Sequence, residues 1–228
     1  MSDGNEEKSR KSSRLQRLLD CGVIAVIRTT SRQLACDIAR ACVDGGIVGI
    51  EITLPTPDAL GAISECAGLF VDRAVMGAGT VMDARAAKDA IDAGARFIVS
   101  PYFDPQTTML ALRAHAISIP GAFTPTEIVA ATRAGADVIK VFPSTSVGPT
   151  YFSDIRRPLP WLKLMPTGGV TTRDIPDWLR AGAVAIGAGA DLLQPELIAR
   201  RDWAGLTARA KEYVALVERV RQEIAAGS

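Results

Sequence analysis

Four times in this chain a helical stretch ends in a small-residue turn and a short run of β-favouring apolar residues follows at once: DGGIVGIEIT, AGARFIVSP, AGADVIKVFP and AGAVAIGAG. Glycine suits the left-handed position just past a helix C-terminus, and the runs lack the alternation of a half-exposed strand. They read as strands buried on both faces, the pattern of a parallel sheet covered by helices. Weaker copies lie between them in GVIAVIR, RAVMGAGT, HAISIPG and WLKLMPTGG. Together these make eight strands, each followed by a helical stretch such as SRQLACDIARACVDG, DARAAKDAIDAG, TPTEIVAATRAG or TRDIPDWLRAG. Eight alternating units predict an α/β chain closed into a single-domain (β/α)8 TIM barrel. An open doubly wound sheet is the alternative, but no GxGxxG follows the first strand.

Ser31, Thr124 and Asp174 stand where helix N-caps are expected, and Pro125 suits a first helical position. Residues 1–12 predict a frayed tail and residues 13–228 the barrel domain. That domain starts with a helix, SRLQRLLDCG, over one end and finishes with a long amphipathic helix in DWAGLTARAKEYVALVERVRQEIAAGS. Neither helix carries obvious chemistry. With 48% hydrophobic and 22% charged residues, the 228-residue chain can fill one large core. Its 26 basic and 25 acidic residues leave a net charge of +1, so no overall field draws nucleic acid or a membrane and any anion must be held locally. The polar start, MSDGNEEKSRKSSR, lacks the apolar segment of a secretory signal, which predicts a cytoplasmic protein. Cys21, Cys36, Cys42 and Cys66 show no CxxC spacing and read as reduced packing residues.

In a barrel of this kind the chemistry sits at the C-terminal ends of the strands. That rule selects Arg28, Glu51 to Thr53, Gly77 to Thr80, Ser100, Pro101, Pro120, Gly121, Lys140, Thr167 to Gly169, and Gly187 to Ala190. Lys140 stands out: of six lysines it alone lies inside an apolar strand with bulky neighbours on either side. An ammonium is costly to bury unpaired, so a lysine so placed can serve as a neutral amine nucleophile, or can be held by a structural ion pair. Glu51 interrupts another apolar run, where it can pair with Lys140 or carry protons. The PTGGV and GAGA turns fall where barrels of this kind often bind phosphate through backbone N–H groups, and Thr80 in GAGTV can meet a substrate carboxylate. His115, the single histidine, lies at a helix end away from these positions, so neither a histidine-metal cluster nor a Ser-His-Asp triad is expected. The reading is therefore Schiff-base chemistry with no metal and no cofactor. The alternatives are an isomerase or synthase that uses Glu51 as base and Lys140 as an electrostatic clamp, or a barrel that binds sugar acids without turnover.

In GVIAVIR, GGIVGIEITLPT, GAGTV, AGARFIVSP, IPGAFTPTE, ADVIKVFP and LMPTGGV, over roughly residues 15 to 200, the chain resembles the family of aldolases acting on 2-keto-3-deoxy-6-phosphogluconate (KDPG) and 4-hydroxy-2-oxoglutarate (KHG). The resemblance implies cleavage of a 2-keto acid to pyruvate and an aldehyde, with Lys140 as Schiff-base lysine and Glu51 as general acid/base. It implies that Thr80, Pro120 and Thr167 line the pyruvyl end, and that Gly168, Gly169, Gly189 and Ala190 hold a distal phosphate. A cytoplasmic homotrimer in carbohydrate metabolism of the Entner-Doudoroff kind is implied as well. Three departures stand out. Pro55 replaces an Arg or Thr common in the family, for which Arg28 can supply a cation. Ala190 replaces a hydroxyl donor and precedes acidic Asp191. SPYF brings Tyr102 and Phe103 to a loop that commonly reads SPGL, where they are expected to reshape the aldehyde end.

Overall fold

Helix and strand alternate along most of the chain. In order come α1 (Ser2–Cys21), β1 (Val23–Ile27), α2 (Arg32–Asp44), β2 (Gly49–Thr53), α3 (Ala59–Leu69), β3 (Val75–Gly79), α4 (Ala84–Asp92), β4 (Phe97–Val99), α5 (Pro105–Arg113) and β5 (Ile117–Ile119). There follow β6 (Gly121–Ala122), α6 (Pro125–Arg133), β7 (Ile139–Val141), α7 (Pro149–Arg156), β8 (Leu164–Pro166), α8 (Ile175–Arg180), β9 (Ile186–Ala188), α9 (Pro195–Ala199) and α10 (Trp203–Ala226). This computed structural model describes the backbone of residues 2–227 and the side chains of residues 4–227. All strand pairs are parallel, in a curled six-stranded sheet ordered β5-β4-β3-β2-β1-β9 and a three-stranded sheet ordered β6-β7-β8. Single bridges pair Leu164 with Ala183 and Thr167 with Gly187. On the other side the Ser118 carbonyl accepts the Asp137 amide at 3.0 Å.

The run HAISIPG, expected as one strand, forms two. Pro120 has no N–H to give, so the ladder breaks between Ile119 and Gly121. Ser31 caps α2 by accepting the Leu34 amide, and Thr124 forms a full capping box with Glu127 on α6. Asp174 differs from expectation. Its carboxylate accepts from the amide and hydroxyl of Thr171 and makes no cap bond to α8, so it shapes the loop before that helix.

Alternation along the strands separates two cores. One set of side chains packs between sheet and helices. The other, Ile24, Val75, Phe97, Val99, Ile117, Ile119, Val138, Met165 and Ala185, fills the inside of the curl and meets Leu18 of α1 at its base. Counting on by two from these inward positions reaches Val26, Gly77, Gly79, Lys140, Thr167 and Gly187, and on β2 the same face carries Glu51 and Thr53. The interior is thus an apolar plug below and a polar layer above, with glycines leaving the space.

Helix α1 runs through residues where a frayed tail was expected, Met1 alone of that stretch having no described backbone. Glu6 and Glu7 pair with Arg10 along its face. More decisively, Lys11 makes a 2.9 Å ion pair with Asp137, with side-chain exposures of 15% and 14%, and Asp137 also accepts the Ser118 amide. The tail is anchored because its lysine meets a carboxylate at the base of the sheet. Among the described residues no helix is long and apolar enough to cross a membrane.

Candidate active site

A cavity of about 1160 Å³ opens at the C-terminal ends of the strands. Its walls include Arg28, Glu51, Thr80, Lys140, Thr167, Gly168, Gly169, Gly189 and Ala190, so of the ten residues expected from the sequence to act on or bind substrate, nine converge. Pro120 is the exception: it lies beside Lys140, accepting the Lys140 amide with its carbonyl at 2.9 Å, but is not part of the wall.

Glu51 and Lys140 are 1% and 6% exposed. Both Glu51 carboxylate oxygens are buried without a hydrogen bond, and no ion pair joins them to Lys140. The structural ion pair that would have explained Lys140 is therefore absent, and its ammonium instead lies 5.0 Å from the centre of the Phe142 ring. Burial pushes the Glu51 carboxyl up from its ordinary value, and the charges of Lys140 and Arg28 oppose that shift without cancelling it. Gly79 makes the room: a Cβ there would stand 1.8 Å from Glu51 Oε1. Thr167 repeats the arrangement, since a Cβ at Gly187 would lie 2.3 Å from its Oγ1. Thr53 Oγ1 and Thr167 Oγ1 are also buried and unpaired, so the layer around Lys140 holds several polar atoms with free hydrogen-bonding capacity.

Thr80 takes the left-handed conformation, φ 57°, unusual for a β-branched residue, and its hydroxyl accepts from Arg28 Nη2 at 3.3 Å. At the opposite wall Gly168 and Gly169 have φ of 92° and 74°, which a side chain would strain. Ser144 braces that turn with two donations, from its hydroxyl to the Gly168 carbonyl and from its amide to the Thr167 carbonyl. The cavity continues past Thr29, Thr30, Leu34, Thr171, Leu193 and Ile198. None of these was singled out from the sequence, because only their place beside the strand ends reveals them.

A model of the KDPG and KHG aldolase family matches residues 15–209. The chain belongs to this aldolase family. A probable 2-dehydro-3-deoxy-6-phosphogalactonate aldolase of Rhizobium meliloti (strain 1021) is 33% identical over 178 residues, 78% of this chain and 84% of that protein. A 2-dehydro-3-deoxy-phosphogluconate aldolase of Treponema pallidum (strain Nichols) is 32% identical, covering 86% of this chain and 93% of the relative. The structure superposes with a TM-score of 0.80 on the KDPG aldolase of Legionella pneumophila with pyruvate captured as a covalent carbinolamine, at 28% identity over 87% of this chain and 96% of that one.

Within this KDPG and KHG aldolase family member, the departures acquire a geometry. Pro55 is exposed and outside the cavity wall, whereas Arg28 is in it. Tyr102 turns outward, its hydroxyl donating to the Met82 carbonyl at 2.6 Å, and Phe103 packs against the outer core, so neither lines the cavity and the expected reshaping by these rings is not seen. Asp191 does line it, but its carboxylate is engaged by Arg209 at 2.7 Å. His115 is absent from the wall, and the four cysteines are free, with Cys36, Cys42 and Cys66 buried.

Proposed function

We propose that this chain is a class I aldolase that cleaves a 2-keto-3-deoxy (phospho)sugar acid or 4-hydroxy-2-oxoglutarate to pyruvate and an aldehyde, with Lys140 as the Schiff-base lysine and Glu51 as the acid/base. The observation that carries the assignment is Glu51 itself: a fully buried carboxylate with two unpaired oxygens, sharing one cavity with a buried lysine. Such a pair contributes little to stability, since each charge is desolvated and neither is hydrogen-bonded to the other, but it is poised for proton transfer.

Lys140 adds as the free amine to the C2 ketone, and loss of water leaves an iminium. Glu51 takes the proton of the C4 hydroxyl, directly or through water. The C3–C4 bond then breaks, its electron pair passing into the iminium to give an enamine while the aldehyde departs. Glu51 returns the proton to C3, and water hydrolyses the resulting iminium to free pyruvate and regenerate the amine. A carboxyl raised by burial suits this double duty, because a base with a pKa nearer neutrality both accepts and returns a proton readily. No cofactor or metal enters these steps.

Arg28 and Thr80, joined by a hydrogen bond, are placed to meet the substrate carboxylate, with Thr167 and neighbouring Pro120 at the pyruvyl end. The backbone N–H groups around Gly168, Gly169, Gly189 and Ala190 form the cradle for a distal phosphate. Two bridges on the β8 side of the three-stranded sheet, the Asp137–Ser118 backbone bond on its other side, and one interior core drawn from both sheets support a ring closed as a single-domain (β/α)8 barrel. A cytoplasmic homotrimer serving carbohydrate metabolism of the Entner-Doudoroff kind completes the reading.

Borohydride reduction in the presence of pyruvate tests it. One peptide, that containing Lys140, gains the mass of a reduced pyruvyl adduct, and Lys140→Ala gains none. Labelling at exposed Lys163, or no labelling with intact folded protein, overturns the Schiff-base assignment.

A further inference from the structure

Asp191 follows the Gly189–Ala190 turn and lines the cavity, yet its carboxylate faces three donors from elsewhere in the molecule. Oδ2 accepts from the Thr172 amide at 3.3 Å, from Arg209 Nη2 at 2.7 Å and from Tyr213 Oη at 2.5 Å. Arg209 Nε reaches back to the Asp191 carbonyl at 3.3 Å, and Glu212 steadies the guanidinium from its other side. Tyr213 is fully buried, and burial together with the charge of Asp191 pushes its phenol up, so it remains a donor. A single carboxylate thus joins the loop after β8, the loop after β9 and the middle of α10.

Below the turns the Thr167–Gly187 bridge joins the two strands, and beyond it Asp191 ties one loop to the other through the Thr172 amide. Nothing lies within 4 Å of where a Cβ would stand at Gly189, and Ala190 brings no hydroxyl to bond across the gap. A cradle of backbone N–H groups binds an anion well only when its turns are already held where those groups converge, because ordering them on binding would offset the interaction. With Arg209 at 2.7 Å, the Asp191 charge is compensated and need not repel an anion close by.

We propose that Asp191 is a positioning residue for the phosphate end of the site: through Arg209, Tyr213 and Thr172 it sets the distance between the two glycine turns, and so governs preference for phosphorylated substrates without touching the reacting atoms. This rests on the reading of those turns as the phosphate cradle.

The test compares kcat and KM for a phosphorylated 2-keto-3-deoxy sugar acid and for unphosphorylated 4-hydroxy-2-oxoglutarate in wild type, Asp191→Ala and Tyr213→Phe. Displacing a binding group by about 1 Å costs on the order of 100-fold where position is critical. Asp191→Ala is therefore expected to raise KM for the phosphorylated acid by about ten- to a hundredfold, leaving its kcat, the KM for 4-hydroxy-2-oxoglutarate and pyruvate labelling of Lys140 nearly unchanged. Tyr213→Phe keeps the ring packing and removes one donor; it moves the same KM less far and decides the matter should Asp191→Ala not fold. Equal losses for both substrates, or an unaltered KM ratio in a wild-type background that prefers phosphate, overturn the role of Asp191 alone. A wild-type enzyme indifferent to the phosphate overturns the cradle, and this assignment with it.

Discussion

At the scale of single residues, Glu51 ties stability to pH in a sense opposite to that of most carboxylates. Its pKa in the folded protein is raised above the ordinary unfolded value, so between the two the native state binds more protons than the unfolded state, and stability falls as pH rises through that window. Glu51→Gln removes the charge and keeps the shape. The variant is expected to match wild type in stability below the unfolded carboxyl pKa, about 4.3, and to exceed it increasingly as pH rises toward neutrality. Urea unfolding at several pH values measures this, and a difference independent of pH would show that the carboxylate is not held at a desolvation cost. The identities of Glu51 and Lys140 were legible in the sequence, since a charge inside an apolar strand stands out. The lack of a bond between them was not, because it depends on the distance across the interior and on the space left by Gly79.

At the scale of elements, local signals gave most of what the structure contains. Thr124, Pro125 and Glu127 fix the start of α6 through bonds spanning three residues: Thr124 Oγ1 accepts the Glu127 amide, and Glu127 Oε2 accepts the amides of Phe123 and Thr124. Thr124→Ala is expected to lower unfolding free energy by about 1 kcal/mol while leaving kcat unchanged. Chemical denaturation checks this, and an unshifted midpoint would mean that the box contributes nothing. Asp174 carried the same kind of signal but turned to Thr171, because an Asx side chain can satisfy a loop amide as readily as a helix start. The break at Pro120 was also readable in principle, from the missing donor alone.

Over the whole molecule, the two terminal helices show where sequence reading loses its grip. Neither displayed chemistry in its own residues, yet α1 closes the base of the interior core and α10 holds Asp191 of the cavity wall through Arg209 and Tyr213. Contacts such as Lys11 with Asp137 join residues far apart in the chain, and no local pattern announces them. Lys11→Ala leaves Asp137 largely buried with only the Ser118 amide as partner, and is expected to cost about 1–3 kcal/mol of stability. Pyruvate labelling of Lys140 in the folded variant should be unaffected, because the pair lies at the opposite end of the sheet from the cavity. Thermal and denaturant unfolding would expose a wrong reading by showing no loss.

The close fit of Glu51 over Gly79, and of Thr167 over Gly187, has a consequence for inheritance. In each pair one strand gives up its side chain so that the neighbouring or bridged strand can project a polar group into shared space. A lineage that kept the acid could not admit even alanine at position 79 without displacing it, whereas one that shortened the acid would release that glycine to drift. The two positions are therefore expected to change together across descendants, so that the glycine, which bears no functional group, records the acid's history as faithfully as the acid does.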